Sequence, residues 1–107
     1  MRNAMIRQYH LRRRTVTKTD EGASQTAWGE AVPIEAIIWQ ASGHVQALQY
    51  GERLSYVKNM EYGGQEEIRE NDGICVDVGG GSSPDYIVKS VNRDHTPIQI
   101  TLEKSDV

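Results

Sequence analysis

Several residue types are scarce or missing in this 107-residue sequence, which has no phenylalanine, three prolines and one cysteine. Because Cys75 stands alone, an intrachain disulfide and a metal site built from several cysteines are both excluded, which suits a reducing compartment. No apolar run approaches the roughly 18 residues that a membrane-spanning helix needs, and the arginine-bearing start lacks the apolar core of a signal peptide. We therefore expect an unexported protein with no membrane partner.

A basic excess is also missing. The formal net charge is -3, whereas tight binding to a phosphate backbone usually relies on lysines and arginines concentrated on one face. The mean hydropathy of -0.61 indicates a surface rich in polar loops, while two tryptophans and five tyrosines argue against general disorder. The length suits a single domain covering residues 1–107.

What the sequence does contain is a series of short segments with alternating or β-branched residues, which is typical of β-strands. We predict strands at residues 8–17, 32–40, 54–60, 74–78, 86–92 and 98–103. In the fourth of these we expect Ile74, Val76 and Val78 to point inward, and the last two should form a hairpin. Five or six strands without a strong helix predict an all-β fold, either a small antiparallel β-barrel of about six strands with long loops or a sandwich.

The second predicted strand is apolar on both faces. Alternation places Ile34, Ala36 and Ile38 on one face, so that Ile37 and Trp39 fall on the other. An apolar pair of that size is better explained by burial than by exposure. We therefore predict that Ile37 and Trp39 contact another subunit.

Polar, turn-forming residues separate the predicted strands. Residues 18–31 have no periodicity and predict a long loop, with Trp28 as a docking anchor. Residues 71–73 read Asn-Asp-Gly, which predicts a turn directly before a strand because these residues tolerate positive φ. We expect a further loop at residues 79–84 and a loose N-terminal arm at residues 1–7.

The segment at residues 40–54 is too long and too mixed for a simple connector in a small β-domain. Ser42 is able to cap a short helix in which Val45 and Leu48 lie three residues apart, and Gly51 suits the left-handed position that ends a helix. A flexible hairpin fits the same residues equally well.

No group of residues combines the roles of an active site or a cofactor site. The GGGSSP run lacks the Lys-Ser/Thr pair and the helix of a phosphate loop. His10, His44 and His95 fall on different segments without ligand spacing, and Cys75 lies within a strand rather than at a helix N-terminus. We predict no catalytic residue, no metal ligand and no cofactor, and an enzyme ranks last among the functions considered.

The chain also carries two clusters of opposite charge. The basic cluster contains Arg7, Arg12, Arg13 and Arg14, and the acidic cluster contains Glu66, Glu67, Glu70 and Asp72. Turn carboxylates are most often exposed, although two of them can act as acid and base in a hydrolase. A contact between the basic cluster of one copy and the acidic cluster of the next would join subunits head to tail, and such contacts close into rings. The residues predicted to make subunit contacts are Arg12, Arg13, Arg14, Ile37, Trp39, Glu66, Glu67 and Glu70.

Three segments taken together resemble one known family. They are LRRRTVTKTDEGA near the start, IIWQASGHVQALQYGERLSYVKNM in the middle and NDGICVDVGGGSSPDYIVKSV near the end. In this combination the chain resembles the small head-closure proteins of tailed bacteriophages, also called head completion or head-to-tail stopper proteins. The resemblance covers nearly the whole chain in the order of its elements.

The resemblance implies a small β-barrel whose copies form a ring, usually twelvefold, below the portal and its adaptor. That ring closes the head after packaging, retains the DNA by steric blockage and offers the tail a docking surface. The expected location is the virion, with assembly in the host cytoplasm. Residues 40–54 would face the channel as a plug, with Gly51 as a hinge. The plug residues would be Ser42, Gly43, His44, Val45, Gln46, Ala47 and Gln49.

Two other functions fit the same residues. A tail-proximal or tail-completion ring protein would differ mainly in the neighbours that it contacts. A small-barrel nucleic-acid-binding module needs aromatic residues interleaved with lysine or arginine on one sheet face. Only Tyr56 with Lys58 approaches that pattern.

Overall fold

The computed structural model describes residues 5–18, 20, 22, 24–42 and 44–105. The elements in chain order are strands β1 (Arg7–Lys18) and β2 (Ser24–Gln40), helix α1 (His44–Tyr50), a 3-10 helix (Gly51–Tyr56), and strands β3 (Val57–Tyr62), β4 (Gly73–Cys75), β5 (Tyr86–Asn92) and β6 (Ile98–Lys104). Neither helix in this part of the chain is long and apolar enough to cross a membrane.

The strands form a closed barrel in the order β1-β2-β3-β6-β5-β4, with every neighbouring pair antiparallel. The prediction of an all-β antiparallel barrel of about six strands is therefore confirmed. Closure leaves β3 and β6 paired on both sides. Neither strand offers a free edge to which another chain would add a strand.

Alternation along the strands divides the side chains between the barrel interior and its outer surface. Met60 lies opposite Ile100 in the register of β3 and β6, and both are buried. The neighbouring pair, Asn59 opposite Thr101, lies on the outer surface and is half-buried, as the two-residue period of a strand requires. The core also contains Leu11, Ile34, Ile74, Tyr86, Val88 and Leu102.

The predicted loop at residues 18–31 is wrong, because most of it belongs to β2. That strand begins at Ser24 and pairs with β1 over the whole length of β1. Gly29 and the alanines around it have weak strand propensity, but pairing with a partner strand overrides local propensity in sheets. Trp28 consequently lies half-buried within β2 rather than in a loop.

The third predicted strand, at residues 54–60, begins three residues too early. Residues 54–56 belong to the 3-10 helix, and β3 starts at Val57. The side-chain amide of Gln40 donates to the carbonyl oxygens of Leu54 at 3.1 Å and Val57 at 3.0 Å, and the Val57 N–H donates to the Leu54 carbonyl. These bonds hold a turn where alternation alone predicts extended backbone.

The fourth predicted strand is shorter than expected, since β4 ends at Cys75. The carboxylate of Asp85 accepts hydrogen bonds from the backbone N–H of Val76 at 2.8 Å and of Asp77 at 3.0 Å. Those two amides therefore leave the sheet. Val78, which was expected to point inward, is 38% exposed, so that expectation is wrong.

The last two strands and the turn before β4 agree with the prediction. Strand β5 covers residues 86–92 as expected, and β6 extends one residue further than expected. Asn71 has a φ of 76°, which confirms the turn at residues 71–73. The N-terminal arm was drawn one residue too long, because Arg7 already belongs to β1; residues 1–4 lie outside the described part of the chain.

Candidate functional site

The β1–β2 hairpin extends beyond the barrel as a two-stranded ribbon. Residues 14–18 pair with residues 24–28, whereas β4, the other neighbour of β1, pairs only with residues 10–12. The paired positions extend over about 17 Å at about 3.4 Å per residue. Val16 on this ribbon is 58% exposed. Because a lone two-stranded hairpin is marginally stable in water, this ribbon is suited to contact with another surface.

Asp72 holds the base of the ribbon against the segment at residues 66–72. Its side chain is buried, with 5% of the residue exposed. It accepts hydrogen bonds from the backbone N–H of Arg14 at 3.3 Å and of Arg69 at 3.0 Å. It also accepts one from the guanidinium of Arg13 at 3.4 Å, at the point where β1 shifts register against β2. The expectation that Asp72 is an exposed turn carboxylate is wrong.

The same geometry brings the basic and acidic clusters together within one protomer. Arg13 forms an ion pair with Glu66 at 3.4 Å and donates to the backbone carbonyl of Glu67. Arg69 pairs with Glu67 at 3.0 Å, and this hydrogen bond lowers the pKa of Glu67 and raises that of Arg69. A contact between copies through these clusters stays a prediction, and it would have to share or exchange these internal bonds.

Arg12 is likewise engaged inside the protomer. Its guanidinium donates to the carbonyl oxygens of Gly29 at 2.7 Å and Ser82 at 2.9 Å, so it ties β2 to the loop between β4 and β5. Arg14 and Glu70 are exposed. Glu66 and Glu67 of the predicted contact set are exposed as well.

At the opposite end of β2, residues 41–56 form a helical crossing to β3. Ala41 is buried and donates its backbone N–H to the Val57 carbonyl at 3.1 Å. Gln46 of α1 and Asn59 of β3 exchange two side-chain hydrogen bonds, at 2.9 and 3.1 Å. These contacts attach the crossing to the outer surface of the barrel next to β3.

The helical alternative for this segment is confirmed over His44–Tyr50. The backbone N–H of Ser42 donates to the side-chain oxygen of Gln46 at 3.3 Å, so Gln46 ties the segment before the helix to its first turn. Gly51 has a φ of 58° and follows the helix in the left-handed conformation, as predicted.

The predicted plug residues lie on this crossing. Those described are exposed except for Gln46, which is half-buried; they are Ser42, Gln46, Ala47, Gln49 and Gly51. His44 and Val45 belong to α1, and Gly43 lies outside the described residues. Leu48, which was not among the predicted plug residues, is 74% exposed on the same helix.

Ile37 and Trp39 lie on the outer surface of β2. Both are half-buried, and in the register they stand opposite Glu61 and Asn59 of β3. Their contact with another subunit stays a prediction. Trp39 also forms one wall of a groove that runs between α1 and the strands beside it.

The potential nucleophile of the chain is shielded. Cys75 is 1% exposed, and its thiol lies 3.8 Å from the carbonyl oxygen of Ser82. Burial, together with the carboxylate of Asp85, raises the pKa of the Cys75 thiol, which lowers the thiolate fraction at neutral pH. In the described part of the chain, no three His, Cys, Asp or Glu side chains are grouped to hold a metal ion.

No known protein family, curated protein or solved structure matches the chain. Its function therefore has to be argued from the geometry and from the sequence motifs.

Proposed function

We propose that this chain is a structural subunit of the head-to-tail connector of a tailed bacteriophage, in which copies form a ring below the portal and its adaptor. There the ring closes the DNA-filled head and offers the tail a docking surface. The observation that carries the proposal is the position of two elements outside the barrel core, the ribbon beyond the barrel and the crossing on its outer surface, at opposite ends of β2. We call these two elements the projections.

The length of β2 sets the distance between the projections. This strand has 17 residues, and an extended strand of that length spans about 55 Å. The molecule measures 52 × 30 × 27 Å, so it is elongated to a similar extent. A ring that lies between two other assemblies needs contacts at both of its faces, and a long subunit with one projection at each end meets that need.

The crossing is the better candidate for the channel plug. Its described exposed side chains up to the end of α1 are uncharged, namely Ser42, Ala47, Leu48 and Gln49, whereas Glu52 in the 3-10 helix is exposed and charged. Uncharged side chains from several copies are able to pack around a common axis without mutual repulsion, and they do not attract a phosphate backbone. The two side-chain bonds between Gln46 and Asn59 hold the crossing against β3, so any movement of the plug would have to break them.

The ribbon is the better candidate for contacts between copies or between rings. Its strands pair only with each other along residues 14–18 and 24–28 in the described structure. Such a ribbon gains stability when a neighbouring surface covers it. This assignment agrees with the prediction that Arg14 makes subunit contacts, because Arg14 lies at the start of the ribbon.

Co-expression with the portal and adaptor proteins of the same particle tests the proposal. We expect the chain to co-purify with them as a closed ring, visible by electron microscopy and by native mass spectrometry. A chain that stays monomeric in their presence, and instead shifts oligonucleotides at physiological salt, would overturn the proposal. Binding to a tail ring without binding to the adaptor would favour the tail-completion alternative.

Single substitutions separate the two projections. Leu48→Asp and Val16→Asp each place a charge on an exposed apolar side chain, and Val78→Asp is the matched control because Val78 is exposed but lies on neither projection. We expect all three variants to fold. Leu48→Asp should form rings that lose DNA from filled heads, Val16→Asp should fail to join the ring, and Val78→Asp should behave as the parent. Equal behaviour of all three variants would contradict the assignment.

A further inference from the structure

A groove of about 350 Å³ lies on the outer surface of the barrel, between Trp39 and the strands β3, β6 and β5. The strand register explains its shape. Trp39 stands opposite Asn59, Asn59 opposite Thr101, and Thr101 opposite Ser90, so one row of side chains crosses four strands. With strands about 4.8 Å apart, that row is about 14 Å long.

Besides Trp39 and two buried core residues, Met60 and Ile100, the residues that line this groove are polar but uncharged. The amides are those of Gln46, Asn59, Asn92 and Gln99, and the hydroxyls are those of Ser90 and Thr101. Among the described residues, the lining contains no lysine, arginine, aspartate or glutamate. The groove therefore offers many neutral donors and acceptors beside one large aromatic side chain.

Two of the amides are held in place before any ligand binds. Gln46 and Asn59 hydrogen-bond to each other twice, at 2.9 and 3.1 Å. An amide NH2 group carries two donors, so each of these side chains keeps a second N–H for a ligand. A side chain that is already ordered loses less conformational entropy on binding, which favours recognition at this end of the groove.

The lining chemistry discriminates among ligand classes. A nucleic acid needs cationic side chains to neutralise its phosphates, and the groove supplies none within its described lining. An extended peptide that binds by strand addition needs a free sheet edge, but β3 and β6 are paired on both sides. A saccharide meets neither obstacle, since its hydroxyls match amides and hydroxyls and its C–H faces match the flat apolar surface of an indole.

We propose that this groove is a binding site for a neutral saccharide, with Trp39 contacting the sugar ring and with Asn59, Gln46 and Thr101 hydrogen-bonding its hydroxyls. The volume suits one or two sugar units, because ligand pockets begin at about 300 Å³. The groove shares Trp39 with the predicted subunit contact and Gln46 with the predicted plug. Sugar titrations on the isolated chain test the groove without the ring, so its failure is distinguishable from failure of the connector proposal.

Nuclear magnetic resonance tests the site with three probes: maltotriose, cellotriose and tri-N-acetylchitotriose. At least one of them should shift the indole N–H signal of Trp39 and the side-chain amide signals of Asn59 and Gln46, saturably at millimolar concentration. Trp28, the other tryptophan of the chain, lies at the ribbon and serves as the internal control. Failure of all three sugars to shift Trp39, or equal shifts of Trp28, would overturn the proposal.

Two variants separate sugar binding from a structural role. Trp39→Ala should weaken binding of the active sugar at least tenfold. Thr101→Val, which keeps the shape of a half-buried side chain and removes only its hydroxyl, should weaken binding severalfold while the backbone spectrum stays that of the parent. If Trp39→Ala changes self-association but leaves the sugar titration intact, or if an uncharged asparagine-rich peptide shifts Trp39 and no sugar does, the groove is a protein contact and the proposal is wrong.

Discussion

Substitution of Asp72 by alanine should destabilise the protein far more than its place in a polar loop indicates. The carboxylate is buried and accepts from the backbone amides of Arg14 and Arg69, at 3.3 and 3.0 Å. Alanine leaves both amides without their acceptor, and each such loss costs about 1 to 3 kcal/mol. It also removes the partner of the Arg13 guanidinium at 3.4 Å. We expect a loss of about 3 kcal/mol in the free energy of unfolding.

The matched control is Glu66→Ala, because Glu66 pairs with the same arginine at the same distance, 3.4 Å. The side chain of Glu66 is 47% exposed, against 8% for Asp72. Solvent screens an exposed pair, so its removal should cost less than about 1 kcal/mol. The comparison therefore isolates burial and the backbone amides from the charge pair itself.

Thermal and urea denaturation followed by circular dichroism measure both variants. For a domain of this size a loss of about 3 kcal/mol lowers the Tm by about 12 °C or more, so Asp72→Ala should be readily distinguished from Glu66→Ala. If the two variants unfold at the same temperature, or if Asp72→Ala unfolds at the temperature of the parent, Asp72 does not hold the ribbon base.

Three further predictions follow from other contacts. Gly73→Ala should lower the free energy of unfolding by about 1 to 3 kcal/mol, because a Cβ at residue 73 would lie 2.2 Å from Cγ of Pro84. The control is Gly79→Ala, which should be close to neutral in the same thermal melts because no atom lies within 4 Å of its Cβ. Burial raises the pKa of the Cys75 thiol and of the Tyr86 phenol, so the folded state holds both protons more tightly than the unfolded state. The urea midpoint should therefore fall as the pH rises above about 9. An equal fall in the double variant Cys75→Ala/Tyr86→Phe would refute this cause. Replacing residues 15–27 by a two-residue turn should leave a cooperatively folded barrel but prevent ring assembly, and loss of the folded barrel would show that the ribbon is part of the core.

The strands that could be predicted from the sequence are those in which apolar and polar side chains alternate and which pair with a strand close in sequence. Residues 98–103 alternate cleanly, and the buried side chains of Ile100 and Leu102 lie where that alternation places them. Residues 86–92 form the other strand of this hairpin, and their bounds were also predicted correctly. In these segments the side-chain pattern and the fold require the same backbone, so no long-range information was needed.

The elements that escaped prediction depend on contacts distant in sequence. The first half of β2 contains Gly29 and several small residues, and it becomes a strand because β1 lies beside it. Residues 54–56 turn rather than extend because Gln40 binds the carbonyl oxygens there. The burial of Asp72 has the same origin, since its partners lie near the start of the chain. Composition and spacing contain no signal for such bonds.

The ribbon is therefore held in position by a loop that is distant in sequence, the one that contains Asp72. Asp72 accepts from Arg14 at the ribbon base, and its own backbone carbonyl accepts from Val88 of β5 at 2.8 Å. The ribbon is thereby joined to the barrel wall by a chain of hydrogen bonds rather than by β2 alone. If the ribbon makes contacts in a ring, Asp72→Asn should be a more informative variant than a deletion. Asparagine keeps one acceptor and the side-chain shape, so the barrel should remain folded while the ribbon base loosens and ring assembly weakens. Normal assembly by a folded Asp72→Asn variant would show that the ribbon needs no fixed orientation to make its contacts.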